Sequence, residues 1–178
     1  MKLSAISKGE FIRHENKALR QADDDVIHAQ SLKRGDVLIT RGNTPQLVGD
    51  VCMVPNDEPN LLIPDLIYRL TVEESKILPE YLSTFLITRQ ARSQIQSDAR
   101  GSSGSMVKIS QGHILDWRIP LPPMIEQQSI VDVIQSEREK NKELVRSLVD
   151  SIALLKERRS ALITATVTGQ IKLEDMTA

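Results

Sequence analysis

The sequence predicts an α+β fold: a small mixed α/β domain followed by one long, coiled-coil-forming α-helix. Three observations predict it. Short apolar runs separated by turn signals, with helical patterns among them but no regular βαβ alternation, fill the first part of the chain. Pro120-Leu121-Pro122-Pro123 ends that texture. Beyond it one helical periodicity continues with no Pro, and with no Gly until Gly169. The 178 residues suffice for one compact domain plus an appendage. The expected organisation is a domain over 1–122, a long helix over 123–169 and a tail over 170–178.

Each element has its own signal. Asp36-Val37-Leu38-Ile39-Thr40-Arg41 reads as a buried strand, introduced by the turn Lys33-Arg34-Gly35. Gly42-Asn43-Thr44-Pro45-Gln46 is punctuated by Gly, Asn and Pro and reads as a loop. Val48 to Val54 reads as a second strand, closed by Pro55 and followed by a turn at Asn56-Asp57-Glu58-Pro59-Asn60. Leu61 to Leu70 reads as a third strand, with Pro64 marking an edge or an irregularity. Pro79 opens a helix, where its missing N–H costs nothing. Tyr81, Leu82, Phe85, Leu86 and Ile95 give that helix its apolar face. A Gly/Ser loop over 99–105, a short turn around Ser110 to Leu115 and a last strand at Trp117-Arg118-Ile119 complete the domain.

From Glu126 to about Thr168 the pattern is one helix of about 43 residues, roughly 64 Å long at 1.5 Å per residue. Ile134, Asn141, Val145, Leu148, Ile152, Leu155 and Leu162 recur near a 3.5 spacing, the seam of a coiled coil. Arg138, Asn141 and Arg159 fall on seam positions, where polar residues lower stability but restrict register and partner choice. Gly169 is placed to end the helix. A single helix cannot bury its own seam, so a partner helix is expected. The alternative is a helix folded back on its own domain.

Composition excludes several function classes. Aromatics are limited to Phe11, Phe85, Trp117, Tyr68 and Tyr81, so aliphatic residues must fill the core. No stretch approaches the roughly 20 apolar residues of a membrane span, and the first residues hold no apolar run of signal-peptide length. Cys52 is the only cysteine, which rules out an intrachain disulfide and fits a cytoplasmic protein. His14, His28 and His113 show no metal-ligand spacing with it or with each other and read as surface or capping residues; neither metal nor cofactor is expected. The net charge of −1 argues against an indiscriminate basic coat, while a local basic face would still suffice for phosphate contacts. Between Arg89 and Lys108 stand Arg89, Arg92, Arg100 and Lys108 against Asp98 alone; the bland alternative is a solvated helix face.

Two clusters suit double-stranded DNA. Arg41, Asn43, Thr44 and Gln46 gather on the loop after the first strong strand. Arg can address guanine, and Asn or Gln adenine, through paired hydrogen bonds. An ordinary hairpin turn is the alternative. Gly101-Ser102-Ser103-Gly104-Ser105, flanked by Arg100 and Lys108, offers N–H groups and hydroxyls that could grip phosphates without specifying sequence; the alternative is a flexible loop. Pro64-Asp65 followed by Glu74-Ser75-Lys76 formally matches a metal-dependent nuclease pattern, which needs Glu-x-Lys on a strand beside a shared Mg²⁺. A charged connector is the simpler reading, and no catalytic residue is assigned.

Ile119-Pro120-Leu121-Pro122-Pro123-Met124-Ile125-Glu126-Gln127-Gln128-Ser129-Ile130-Val131 resembles the specificity subunit of type I restriction-modification systems. So do Leu154-Leu155-Lys156-Glu157-Arg158-Arg159-Ser160-Ala161-Leu162-Ile163 and the stretch Ala165-Thr166-Val167-Thr168-Gly169-Gln170-Ile171. Leu32-Lys33-Arg34-Gly35-Asp36-Val37-Leu38-Ile39 and Gly101-Ser102-Ser103-Gly104 are similar to the family's recognition domain. The resemblance implies a non-enzymatic subunit with two target recognition domains joined by two helices in an antiparallel coiled coil. A methyltransferase (modification) subunit and a restriction/translocase subunit assemble around it. This chain has one such domain and one helix, half of that pattern, and its segment Ser4-Ala5-Ile6 comes earlier than in the family. The expected assembly is an antiparallel homodimer reading a palindromic, spaced DNA site. The competing expectation is a pure assembly module whose shortened domain reads nothing.

Overall fold

The computed structural model describes residues 1–18, 31–103 and 106–171. His28, Gly104, Ser105 and the tail beyond Ile171 lie outside the described residues. The chain forms two compact units, Met1–Val131 and Asp132–Ala178.

The first unit is built on strand β4 (Val37–Thr40), every residue of which is buried. Side chains alternate along a strand, so one strand can serve two cores. Val37 and Ile39 face a cluster with Val48, Val51, Leu82, Phe85 and Leu86. Leu38 faces a second cluster with Ile6, Leu32, Cys52, Val54 and Ile67. Cys52 is core, and burial together with the nearby Asp50 pushes its thiol up to about 12.

β4 is the centre of an antiparallel sheet with β6 (Val51–Met53) and β8 (Ile67–Leu70) at its sides. Earlier in the chain, β1 (Ile6–Ser7) pairs with β2 (Glu10–Phe11), and β3 (Ser31–Leu32) pairs with β7 (Glu58–Leu62). The expected strand from Val48 is shorter than read. Val48 closes a turn by donating to the Thr44 carbonyl (2.8 Å), and Gly49 follows in the left-handed region at φ +68°. The expected third strand is two strands: Pro64-Asp65-Leu66 separates β7 from β8, and β7 begins at Glu58, where a turn was expected. Pro64 lacks the N–H that a continuous ladder would need.

The expected single helix after Pro79 is also two, α1 (Pro79–Leu86) and α2 (Arg89–Asp98). The break is chemical. Thr88 adopts extended geometry and its hydroxyl accepts from the Ala91 N–H (3.3 Å), so it starts a new helix. α3 (Gln111–Asp116) replaces the expected turn near Ser110. Ser110 and His113 form its capping box, which gives His113 the capping role expected for it. Trp117-Arg118-Ile119 is extended but pairs with no strand among the described residues. The Gln94 carboxamide takes the partner's place, donating to the Arg118 carbonyl and accepting from its N–H, both at 3.1 Å.

α4 (Met124–Val167) has 44 residues, about 66 Å of helix. Its first two turns belong to the first unit, where Gln127 is fully buried. Gln127 Oε1 accepts from the Leu78 N–H (2.9 Å), and Nε2 donates to the carbonyls of Lys76 and Pro122 (2.9 Å each). In the second unit α4 is closed by Gly169 at φ +72°, with Gly169 donating to Thr166 and Gln170 to Ala165. Ion pairs at i,i+3 join Glu137 to Lys140 (2.7 Å) and Glu139 to Lys142 (2.9 Å).

Gln127→Leu keeps the volume but strands one N–H and two carbonyls. It is expected to lower unfolding stability by about 2–4 kcal/mol, measured by urea denaturation; a loss under about 0.5 kcal/mol would contradict the role given to this amide.

Candidate nucleic-acid interface

The two sequence clusters proposed for DNA meet in one small sheet. Gly42–Asn43 is not a loop but a strand, β5. Arg100–Ser103 is likewise a strand, β9, where a loop was expected. Between them lies β10 (Met106–Lys108), antiparallel to both. Lys108 stands opposite Gly42 on one side and Arg100 on the other; Val107 stands opposite Asn43 and Met106 opposite Ser103. The β9–β10 register shifts between Met106 and Lys108, a bulge of the kind found at sheet rims. Val107 packs toward the main core, while Met106 and Lys108 are exposed. Gly42 has a packing reason: a Cβ there would meet Leu66 Cδ2 at 3.2 Å and Lys108 Cγ at 3.4 Å.

The segment after β5 is tightly braced. Asn43 Oδ1 accepts from the Thr44 N–H (2.8 Å), so this side chain shapes the turn. Thr40, fully buried, donates from Oγ1 to the Leu47 carbonyl and accepts from the Asp50 N–H, both at 3.0 Å. Arg92 reaches in from α2, donating from Nη1 to the Val48 carbonyl (2.7 Å) and from Nη2 to the Gln46 carbonyl (2.9 Å). A Cβ on Gly49 would lie 2.3 Å from Ile95 Cγ2, so α2 sits directly against the turn. Thr44 and Gln46 remain exposed at its tip.

These contacts revise the basic face read between Arg89 and Lys108. Arg92 is a structural brace; desolvation lowers its pKa against the opposing pull of Asp50, and it stays charged at any ordinary pH. Asp98 accepts from the Trp117 indole N–H (2.8 Å). Arg41 is held from several sides. Its N–H donates to the Leu66 carbonyl (2.9 Å), and its carbonyl accepts from Ile109 (2.8 Å). Nη1 lies 3.5 Å from Asp65 Oδ1, and the guanidinium sits 5.3 Å from the Tyr68 ring centroid.

The nuclease-like pattern is not arranged for chemistry. Glu73 to Lys76 form a turn, in which Lys76 Nζ pairs with Glu73 (2.7 Å), and Asp65 faces Arg41. Among the described residues no His, Cys, Asp or Glu group is gathered for a metal ion, and no helix is long and apolar enough to cross a membrane.

On the second unit, the seam residues Val145, Leu148, Ile152 and Leu155 are each 51–63% exposed. Asn141 is exposed as well, and Ile134 and Leu162 are half-buried.

With this geometry in hand, the matches to known proteins are specific. The type I restriction modification DNA specificity domain pattern matches residues 15–152. The chain belongs to that family. The type I restriction enzyme EcoEI specificity subunit of Escherichia coli is 27% identical over 136 residues, which are 76% of this chain and 23% of that subunit. The crystal structure of the HsdS subunit from Thermoanaerobacter tengcongensis aligns with a TM-score of 0.56 and 19% identity, covering 95% of this chain and 41% of that one. At that identity the likeness is one of fold: a small sheet domain and a long helix. The chain thus spans less than half the length of either relative.

Arg92→Met is expected to cost about 2–4 kcal/mol, because two charge-assisted bonds are lost. Amide exchange at residues 47–50 should accelerate with it. Unchanged protection of those amides would contradict the bracing role.

Proposed function

We propose that this specificity-domain chain reads one DNA half-site through β5, β10 and β9 together with the braced turn that follows β5. The carrying observation is the sheet itself. It joins Gly42–Asn43, Lys108 and Arg100–Ser103, which are far apart in sequence, with Arg41 leading into β5 and Thr44 and Gln46 following it. In this reading Arg41, Asn43, Thr44 and Gln46 address bases, while Arg100, Ser102, Ser103 and Lys108 hold phosphates and position the protein.

The long helix supplies assembly in the same proposal. Its exposed seam takes an identical helix in antiparallel sense. The charge distribution favours that sense: residues 124–145 carry five acids and three cations, and residues 146–167 carry four cations and two acids. Antiparallel pairing sets the acidic half of one helix against the basic half of its partner. The resulting homodimer presents two identical readers to a palindromic site. A methyltransferase subunit and a restriction/translocase subunit dock on this assembly, in the cytoplasm.

DNA binding by the full chain, followed by fluorescence anisotropy against a mixed-sequence duplex, should weaken steeply with salt. Reversing Arg100 and Lys108 to Glu should reduce the slope of log K against log salt by about 2. An unchanged slope and unchanged site selection after these reversals, with Arg41 reversed as well, would leave the chain an assembly module only.

A further inference from the structure

Arg41 sits in a cleft of about 450 Å³ whose other walls include Pro64, Asp65, Ile67, Tyr68 and Arg69. Its restraint there is unusual for a side chain that ends at a surface. The backbone of Arg41 is fixed on both sides, by the Leu66 carbonyl and by the Ile109 N–H. The guanidinium lies over the Tyr68 ring, and Nη1 leans on Asp65, whose side chain is 84% exposed. The Arg41 side chain itself is 28% exposed. Among the described residues, Nε and Nη2 make no hydrogen bond.

We infer that Tyr68 and Asp65 are specificity-determining residues that hold the Arg41 guanidinium as a preformed reader of one guanine. The inference rests on the DNA-reading proposal and deepens it. The chemistry follows from which donors are taken. A guanidinium carries five N–H donors in a planar fork. The Tyr68 ring lies beside the guanidinium carbon at 5.3 Å from its centroid, and Asp65 contacts Nη1 at 3.5 Å. The Nε/Nη2 edge keeps two parallel donors, the pattern that matches O6 and N7 of guanine in the major groove. Adenine presents a donor where guanine presents O6, so this edge rejects it.

Preorganisation is the purpose of the arrangement. A free arginine loses much rotamer freedom when it meets a base. Here that freedom is already restricted before DNA arrives, so the guanine contact keeps more of its strength. Asp65 adds a second effect: its exposed carboxylate repels phosphate, which steers Arg41 away from a sequence-blind backbone contact. Removing Asp65 should therefore cost discrimination without costing general affinity.

The test selects duplexes from a pool randomised over a central window, using the full chain and its Arg41→Ala, Asp65→Ala, Tyr68→Leu and Tyr68→Phe variants, each checked by circular dichroism. The wild type should select a site containing a guanine whose preference Arg41→Ala abolishes. Asp65→Ala and Tyr68→Leu should each reduce preference at that guanine by about tenfold or more, with affinity for the unselected pool equal or higher in Asp65→Ala. Tyr68→Phe keeps the ring and should keep the preference within about twofold. Because Asp65 is exposed, its replacement tests the inference even if Tyr68→Leu fails to fold. Retained preference in Asp65→Ala, or a selected site with no guanine that depends on Arg41, overturns the inference alone. A pool from which the wild type selects nothing overturns the DNA-reading proposal, and the inference with it.

Discussion

The apolar stripe on a 44-residue helix is the constraint on which the proposed assembly depends. Val145, Leu148, Ile152 and Leu155 leave half or more of their surface in water. Burying the exposed remainder of each would gain on the order of 1 kcal/mol, which is the driving force of the proposed association. Among the described residues of the second unit, helix propensity, surface ion pairs of a few tenths of a kcal/mol each and the closing turn at Gly169 contribute to its stability. Asn141, Arg138 and Arg159 on the same stripe weaken indiscriminate association and favour particular registers. The acidic first half and basic second half add a preference for direction.

The first unit obeys a different constraint. A short chain poor in aromatics must fill two cores with aliphatic side chains, and β4 serves both by placing alternate residues on opposite faces. Surrounding that strand with buried elements fixes what emerges at its end. Arg41 follows β4 directly, β5 follows Arg41, and the turn beyond is held by Thr40, Arg92 and the close contact of Gly49 with Ile95. The turn after β5 is therefore tied directly to the core. Base reading requires this, since a bidentate contact tolerates little misplacement. At the other end of the unit, Gln127 joins the onset of the long helix to the segment entering α1, so the domain and the start of the assembly element unfold together.

The parts legible in the sequence are those whose signal is local. Helix α4 announces itself by heptads, by the proline segment before it and by Gly169 after it. Strand β4 shows as an apolar run after a Gly-Asp turn. The rest depends on partners distant in sequence. Gly42-Asn43 looks like a loop because glycine and asparagine punctuate chains, and nothing nearby reveals that residues 106–108 will pair with it. The Gly/Ser stretch from Gly101 reads as flexible for the same reason, yet its first part is a strand. Trp117-Arg118-Ile119 has strand composition, but its partner is a glutamine side chain. Two further features do carry a local mark. Thr88 marks a helix start inside an apparent single helix. Arg92 stands three residues before the buried Ile95, and that spacing sets it beside the helix's buried face. Tyr68 and Asp65 carry no local mark of function; only their placement around Arg41 gives them one.

In the proposed assembly two copies of this specificity-domain chain pair through their helices, and the mass of the chain in solution tests this most directly. Sedimentation equilibrium at micromolar concentration should give twice the 20.0 kDa chain mass, falling to the monomer when Leu148 and Leu155 are both changed to Asp. A wild-type chain that remains monomeric at those concentrations would contradict it.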